Sequence, residues 1–271
     1  MPSHLDIKNY WETHPLFSYE LKNVGSEAFF DEIDKIKRND VERFALPYWQ
    51  FDRFQGKYIL DVGCGPGWLT VQYALGQAKV TAIDLTTQAV LLTKKYLQYK
   101  NLNAEVKEAN AEDIPCKDNA FDLVVSSGVL HHTANIVQAL RECYRVLKPG
   151  RKAKITLYHK GILLSKNIFP ITRRLMQIFR VRHPGADLCQ KAKNVDAFVR
   201  MYDGEGNLVG IAKNAKDWTQ ILKSVGFVVE GYELHYFPLR FVPLGKFIPK
   251  SIHKILDKYF GTMIYFQLSK L

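Results

Sequence analysis

From residue 57 onward, short apolar runs alternate with segments whose apolar residues recur every three to four positions. Tyr58–Val62 reads as a buried strand, broken sharply by the glycines of Gly63-Cys64-Gly65-Pro66-Gly67. Trp68–Leu75 reads as a helix, Lys79–Ile83 as a second strand, and Thr86–Tyr99 as a helix that Thr86 is placed to cap. Ala104–Glu108 and Phe121–Ser126 supply a third and a fourth strand. A helix from Asn135 to Leu147 meets a stop signal at Lys148-Pro149-Gly150, and Lys152–Tyr158 supplies a fifth strand. Strands and helices alternating at this spacing predict an α/β fold with a parallel, doubly wound sheet. The pattern lapses from 160 to 214 and resumes with a helix at Lys216–Val225. Phe227–Phe237 and Thr262–Leu268 can supply two final strands.

This rhythm divides the chain into an aromatic-rich helical leader or lid (1–56), a ligand-binding core (57–159), a cap insertion (160–214) and a completion of the sheet (215–271) with a second insertion at 238–260. No run of 18 apolar residues suggests a membrane span, and the N-terminus lacks a basic stretch followed by an apolar one, so no secretory signal is read. Cys64, Cys116, Cys143 and Cys189 are scattered without a C-x-x-C pair, which points to reduced thiols in a cytoplasmic protein and to no metal site.

Charge changes the picture in one place. The net charge is +11, yet residues 1–147 are slightly acidic, whereas 148–193 hold twelve Lys/Arg against the single acid Asp187. Apolar pairs such as Ile168-Phe169 and Leu175-Met176 interleave with these bases. Three readings stay open for 160–193: a cap that attracts an anionic substrate, a membrane-surface helix, or a solvated face. The cap is favoured, with Arg173 and Arg174 the best-placed grips for a carboxylate and Lys160, Lys166, Arg180 and Arg182 as further contributors.

A strand running through a glycine turn into a helix presents backbone N–H groups to a ligand. The dinucleotide pattern G-x-G-x-x-G would need glycine at 68, where Trp68 stands. Asp61 at the strand end would repel a pyrophosphate but suits a cationic ligand such as S-adenosylmethionine (SAM). Asp84 closes the second strand, placed to accept ribose hydroxyls or, alternatively, to cap the next helix; Leu85 is placed to pack on adenine.

The stretches ILDVGCGPGWLT, the acid of AIDLT, NAEDIPCKDNAFDLVVSSGVLHHT and RVLKPGRKAKITLY follow in order over 57–158. Together they resemble the class I SAM-dependent methyltransferases typified by the ubiquinone/menaquinone biosynthesis branch. The resemblance implies a Rossmann-like seven-stranded, mostly parallel sheet with its last strand antiparallel, plus a helical or irregular cap. It further implies SAM as cofactor and S-adenosylhomocysteine as product. Asn110, Ala111 and Glu112 would meet adenine, Gly63, Gly65 and Gly67 would lie beside the methionine part, and Ser126, Ser127 and Gly128 would line the site. The loop SSGVLHH lacks the N/D-P-P-Y pattern of base methylation, which disfavours nucleic acid as a partner.

His131 is the candidate catalytic base, with a pocket-shaping role as its alternative, and His132 stands beside it. Tyr10, Trp11, Phe17 and Tyr19 are candidates for a lid over the cofactor or, alternatively, for a leader that simply packs on the core, and Tyr158 and His159 face the substrate side at the end of the fifth strand. Asp203-Gly204-Glu205-Gly206-Asn207 reads as a turn rather than a calcium loop. The expected activity is methyl transfer to a small, anionic metabolite at nitrogen or oxygen. The alternatives are a membrane-surface enzyme acting on a quinone or lipid precursor, and a non-catalytic SAM-binding module.

Overall fold

The computed structural model describes residues 2–178 and 191–271. Its centre is a sheet of eight strands: β1 (Tyr58–Val62), β2 (Lys79–Asp84), β3 (Glu105–Glu108), β4 (Phe121–Ser127), β5 (Leu147–His159), β6 (Ala212–Lys213), β7 (Val228–His235) and β8 (Met263–Ser269). Seven of them run in the order β3-β2-β1-β4-β5-β8-β7, and the two-residue β6 pairs with the end of β5. Every pairing is parallel except those of β8, which is antiparallel to both β5 and β7. The order reverses between β1 and β4, so a crevice opens above the carboxyl ends of those strands.

Burial on both faces accounts for the apolar runs. Ile59 packs with Phe29, Val71, Tyr73 and Tyr96 on one side, while Leu60 and Val62 pack with Leu140, Trp218 and Leu222 on the other. The first side is covered by α2 (Glu27–Ile36), α3 (Leu46–Trp49), α4 (Trp68–Leu75) and α5 (Thr87–Tyr99), the second by α6 (Ile136–Val146) and α9 (Ala215–Val225). Thr86 caps α5 by accepting the Ala89 N–H, and Asn135 caps α6 by accepting that of Gln138. α1 (His4–Thr13) opens with a reciprocal Ser3/Asp6 capping box and lies over the crevice.

The strand after α6 begins earlier than its sequence suggests. Leu147 already pairs with Phe121, and Lys152 pairs with Leu123, so Lys148-Pro149-Gly150-Arg151 forms a bulge inside β5 rather than a connecting loop. Gly150 supports it with a positive φ of 70° and by donating its N–H to Lys270 O. Residues 160–178 contain α7 (Phe169–Ile178), residues 195–201 form α8 (Val195–Met201), and α10 (Lys250–Phe260) occupies the second insertion. No helix among the described residues is long and apolar enough to cross a membrane.

Candidate active site

The crevice holds a cavity walled by the turn after β1, the ends of β2 and β4, the segment 109–112 and the leader. Three glycines shape the turn in different ways. Gly63 has φ +75°, and a Cβ there would strike Val129, so the β1 turn and the β4 loop approach as closely as backbone allows. Gly65 has φ +52° and nothing within 4 Å of where its Cβ would stand; that open space belongs to the cavity. Gly67 is not on the wall. It sits at φ +89° at the start of α4, where a Cβ would be 2.9 Å from Thr93 on α5, so its smallness serves helix packing, which corrects the expected place beside the ligand.

Two carboxylates face the cavity. Asp61 is 1% exposed and accepts the Thr70 hydroxyl at 2.6 Å. Burial, aided by the Asp84 charge, lifts its pKa to about 7. A cation in the cavity is the partner that would let it ionise. Asp84 accepts Gly65 N–H at 3.0 Å on one oxygen, and Thr86 N–H and hydroxyl at 3.0 and 2.8 Å on the other. Its helix-capping alternative is not what the geometry shows, since Thr86 caps α5 and Asp84 holds Thr86. Burial raises the Asp84 pKa too, despite these bonds. Leu85, Asn110, Ala111, Glu112, Ser127 and Gly128 complete the wall; buried Ser126 instead donates to Val62 O. An open glycine cradle beside a buried acid, with paired acceptors at a second strand end, fits the amino-acid part and the ribose of SAM.

The leader roofs this cavity through Ile7 and Trp11. Beyond Trp11, Pro15 and Leu16, a second, aromatic cavity adjoins the first; Tyr19, Tyr158, Tyr202, Tyr236 and Tyr265 line it, with Phe17. Tyr10 is on neither wall but anchors the roof, donating its hydroxyl to Asp203 O at 2.6 Å.

Asp203 lines both cavities, the one carboxylate among the described residues that does. Tyr158 donates its hydroxyl to Asp203 Oδ2, and His132 Nε2 stands 3.1 Å from the same oxygen. Burial first, then the Asp203 charge, holds the Tyr158 phenol well above its ordinary pKa, so it stays a donor. Nδ1 of His132 lies 2.6 Å from Val209 O, and since a carbonyl only accepts, that nitrogen carries a proton and Nε2 is the exchangeable one.

His131 is placed differently from its sequence expectation. It is fully buried, lines neither cavity, packs at a tilt against Tyr158 with ring centroids 3.9 Å apart, and makes no hydrogen bond through either ring nitrogen. Burial, with His132 beside it, holds it far below the ordinary histidine pKa and therefore neutral. Of the two histidines, His132 is the one on a cavity wall. Arg173 and Arg174 lie on α7 and line neither cavity, His159 faces a third, apolar chamber, and Arg180 and Arg182 lie outside the described residues. Among the charged wall residues not singled out as site candidates from the sequence are Lys37, paired with buried Glu42 at 3.5 Å, Glu42 itself, and Asp203, which stands in a glycine-rich turn.

A doubly wound sheet with β8 antiparallel, and a glycine-cradled cavity between two strand-end acids, define the SAM-binding methyltransferase class. Residues 60–153 match the family described as methyltransferase domain. The ubiquinone biosynthesis O-methyltransferase of Actinobacillus pleuropneumoniae is 31% identical over 99 residues, covering 35% of this chain and 42% of that protein. The 2-phytyl-1,4-naphtoquinone methyltransferase of Nostoc sp. is 34% identical over 110 residues, covering 39% and 48%. The matched stretch thus spans less than half of either relative. Among solved structures, a SAM-dependent methyltransferase from Mesorhizobium loti shares the fold at 19% identity (TM-score 0.57, covering 84% of this chain and 96% of that one). So does the [4+2]-cyclase SpnF at 18% identity (TM-score 0.59, covering 99% and 96%). Over residues 60–153 the chain is thus similar to SAM-dependent methyltransferases, those of ubiquinone biosynthesis among them, and these matches support an enzyme of that kind.

Proposed function

We propose that the protein methylates a hydroxyl oxygen of a ring-bearing small molecule held in the aromatic cavity, with Asp203 as the proton acceptor and His132 behind it. The observation that carries this reading is the position of Asp203 on both walls, hydrogen-bonded to Tyr158 and facing His132 Nε2. Bound SAM supplies a sulfonium methyl, so the oxygen–carbon bond forms as the carbon–sulfur bond breaks and S-adenosylhomocysteine is left. The chain's own part is to orient the hydroxyl, exclude water and take its proton. Val209 O holds the His132 ring through Nδ1, which turns Nε2 toward Asp203 Oδ2 at 3.1 Å. Tyr158 keeps Asp203 aimed.

The curated relatives are named for quinone biosynthesis, which supports a phenol- or quinol-like acceptor. Fold alone does not imply methyl transfer, because SpnF shares it and is titled a cyclase. Arg173 and Arg174 line neither of the two cavities, so a direct grip by them on the acceptor is not part of this reading.

The test is turnover with labelled SAM on a catechol-type panel. Asp203→Asn and His132→Gln are each expected to lower kcat about 10²-fold or more, leaving SAM affinity within about twofold. His131→Phe is expected to retain turnover. Full activity in Asp203→Asn overturns the assignment; loss only in His131→Phe returns the role to His131.

A further inference from the structure

Lys37 and Glu42 reach the wall of the aromatic cavity together, and the backbone is the reason. The Glu42 N–H donates to Lys37 O at 2.7 Å, the bond that closes the π-helical turn Lys37–Val41. In an α-helix, residues five apart stand about 140° apart around the axis; the wider turn brings the pair back onto one side. Glu42 is fully buried, and its Oε2 accepts the Trp49 indole N–H at 2.9 Å and the Tyr265 hydroxyl at 3.1 Å. Its Oε1 makes no hydrogen bond and has the Lys37 ammonium 3.5 Å away. A buried carboxylate oxygen without a donor is costly, and this one belongs to a residue on a cavity wall.

We infer that the aromatic cavity takes an acceptor bearing a protonated amine, its ammonium set against Glu42 Oε1 and the surrounding aromatic faces; the inference deepens the methyl-acceptor reading above and rests on it. Charge is the first argument. Among the described residues lining the cavity, Glu20, Glu42 and Asp203 stand against one lysine, Lys37, and no arginine. One lysine does not offset three acids, and a ligand cation reduces the excess where a ligand carboxylate adds to it. Lys37 is, moreover, held over the Trp68 ring, its ammonium 5.5 Å from the centroid, and Trp68 lines the cofactor cavity. Oε1 is thereby left for a closer donor, which a ligand N–H supplies.

The rings are the second argument. Tyr158 gives its hydroxyl proton to Asp203 and Tyr265 gives its own to Glu42, so neither phenol keeps a donor for a ligand, and what both offer is ring surface. Trp11, Tyr19, Tyr202 and Tyr236 stand round the same space, with Tyr236 and Tyr265 buried. Aromatic faces attract cations through the negative charge of their π systems, most strongly where water is excluded. A ring of such faces closed by a buried acid is the arrangement an ammonium group selects over an uncharged group of the same shape.

The probes are three phenols alike in shape: 4-propylphenol (neutral), tyramine (an ammonium) and 3-(4-hydroxyphenyl)propanoate (a carboxylate). Binding is measured by calorimetry at pH 7 on the S-adenosylhomocysteine-loaded protein, where no sulfonium competes. Tyramine is expected to bind about tenfold or more tighter than 4-propylphenol, and the carboxylate weakest of the three. Glu42→Gln is expected to bring tyramine to within about threefold of 4-propylphenol, while 4-propylphenol and S-adenosylhomocysteine bind as before. Tyr236→Leu, independently, is expected to lower the ratio of tyramine to 4-propylphenol affinity at least threefold, a ratio that a merely structural role leaves unmoved. Retained S-adenosylhomocysteine binding shows that a variant is folded, and if Glu42→Gln is not, Tyr236→Leu decides. Equal wild-type affinity for tyramine and 4-propylphenol overturns the inference, as does an unchanged ratio in the folded variants. Tightest binding of the carboxylate also overturns it and gives the site to Lys37. Methyl transfer from labelled SAM is read separately. A preference for tyramine without methylation leaves the ammonium site standing and counts against the acceptor chemistry; methylation of all three at equal affinity does the reverse.

Discussion

The carboxylate of Glu12, on the leader helix, accepts the backbone N–H groups of both Thr87 and Gln88 at 2.9 Å, placing a leader anion at the N-terminus of α5. The first turn of that helix offers free donors and a positive dipole end, so the contact is favourable twice over. Lys8 pairs with Glu108, and His4 Nε2 stands 3.0 Å from a Glu112 carboxylate oxygen along the same roof. Glu12→Ala is expected to loosen the roof and speed release of S-adenosylhomocysteine about tenfold, because charged hydrogen bonds are worth ~1.5–3 kcal/mol. Stopped-flow displacement checks this; an unchanged release rate would show that α1 is not what retains the ligand.

Asp84 is expected to hold the ribose. Asp84→Ala should weaken SAM binding by roughly 2–4 kcal/mol, since a charged, half-buried acceptor and the Gly65 contact go together. NAD should give no heat of binding to either protein. Equal SAM affinity in wild type and variant would remove Asp84 from the cofactor site.

Asp61 sets a pH dependence. Its pKa in the empty site is raised to about 7, burial being the main cause. A cationic ligand favours the ionised acid, so its pKa in the complex is lower and binding below about pH 7 must expel a proton. SAM affinity is therefore expected to fall as pH drops through 7, by up to tenfold per unit, and to level off above it. Calorimetry in buffers of different ionisation heat should detect the released proton. Asp61→Asn should bind weakly and lose the slope; a variant that keeps the wild-type slope places the titrating group elsewhere.

The glycines of the turn should separate. Both Gly65→Ala and Gly67→Ala carry the strain of a positive φ, of order 1 kcal/mol. Gly67→Ala also drives a Cβ against Thr93, so it should lower the melting temperature the more. Gly65→Ala points its methyl into the cavity and should lose more SAM affinity than stability. If both changes reduced binding and stability in the same ratio, this division of roles would be wrong.

The sequence pattern revealed the core because each signal there is local. Thr86 and Asn135 stand one residue before their helices, Asp84 closes β2, and Asp61 stands one residue before the end of β1. The bulge at 148–151 was not legible, since Gly150 is held by Lys270, more than a hundred residues away. Asp203 was read as part of a turn, and Asn207 N–H does bond Gly204 O there; what makes the acid notable is the fold bringing His132 and Tyr158 to it. The choice between His131 and His132 likewise turned on which way adjacent side chains point, something spacing alone does not encode.

The bond from Tyr10 to the Asp203 carbonyl couples two events in time. Because α1 roofs the cofactor cavity, its lifting is the expected route for cofactor exchange, and lifting would remove a tether from the segment bearing the proposed proton acceptor. With α1 in place the acceptor site is whole and the cofactor cavity is roofed, so cofactor exchange is expected to come before acceptor binding and after product release. Turnover should be compulsory in order, with SAM binding first and S-adenosylhomocysteine departing last. In steady-state kinetics S-adenosylhomocysteine should then compete with SAM and be noncompetitive against the acceptor.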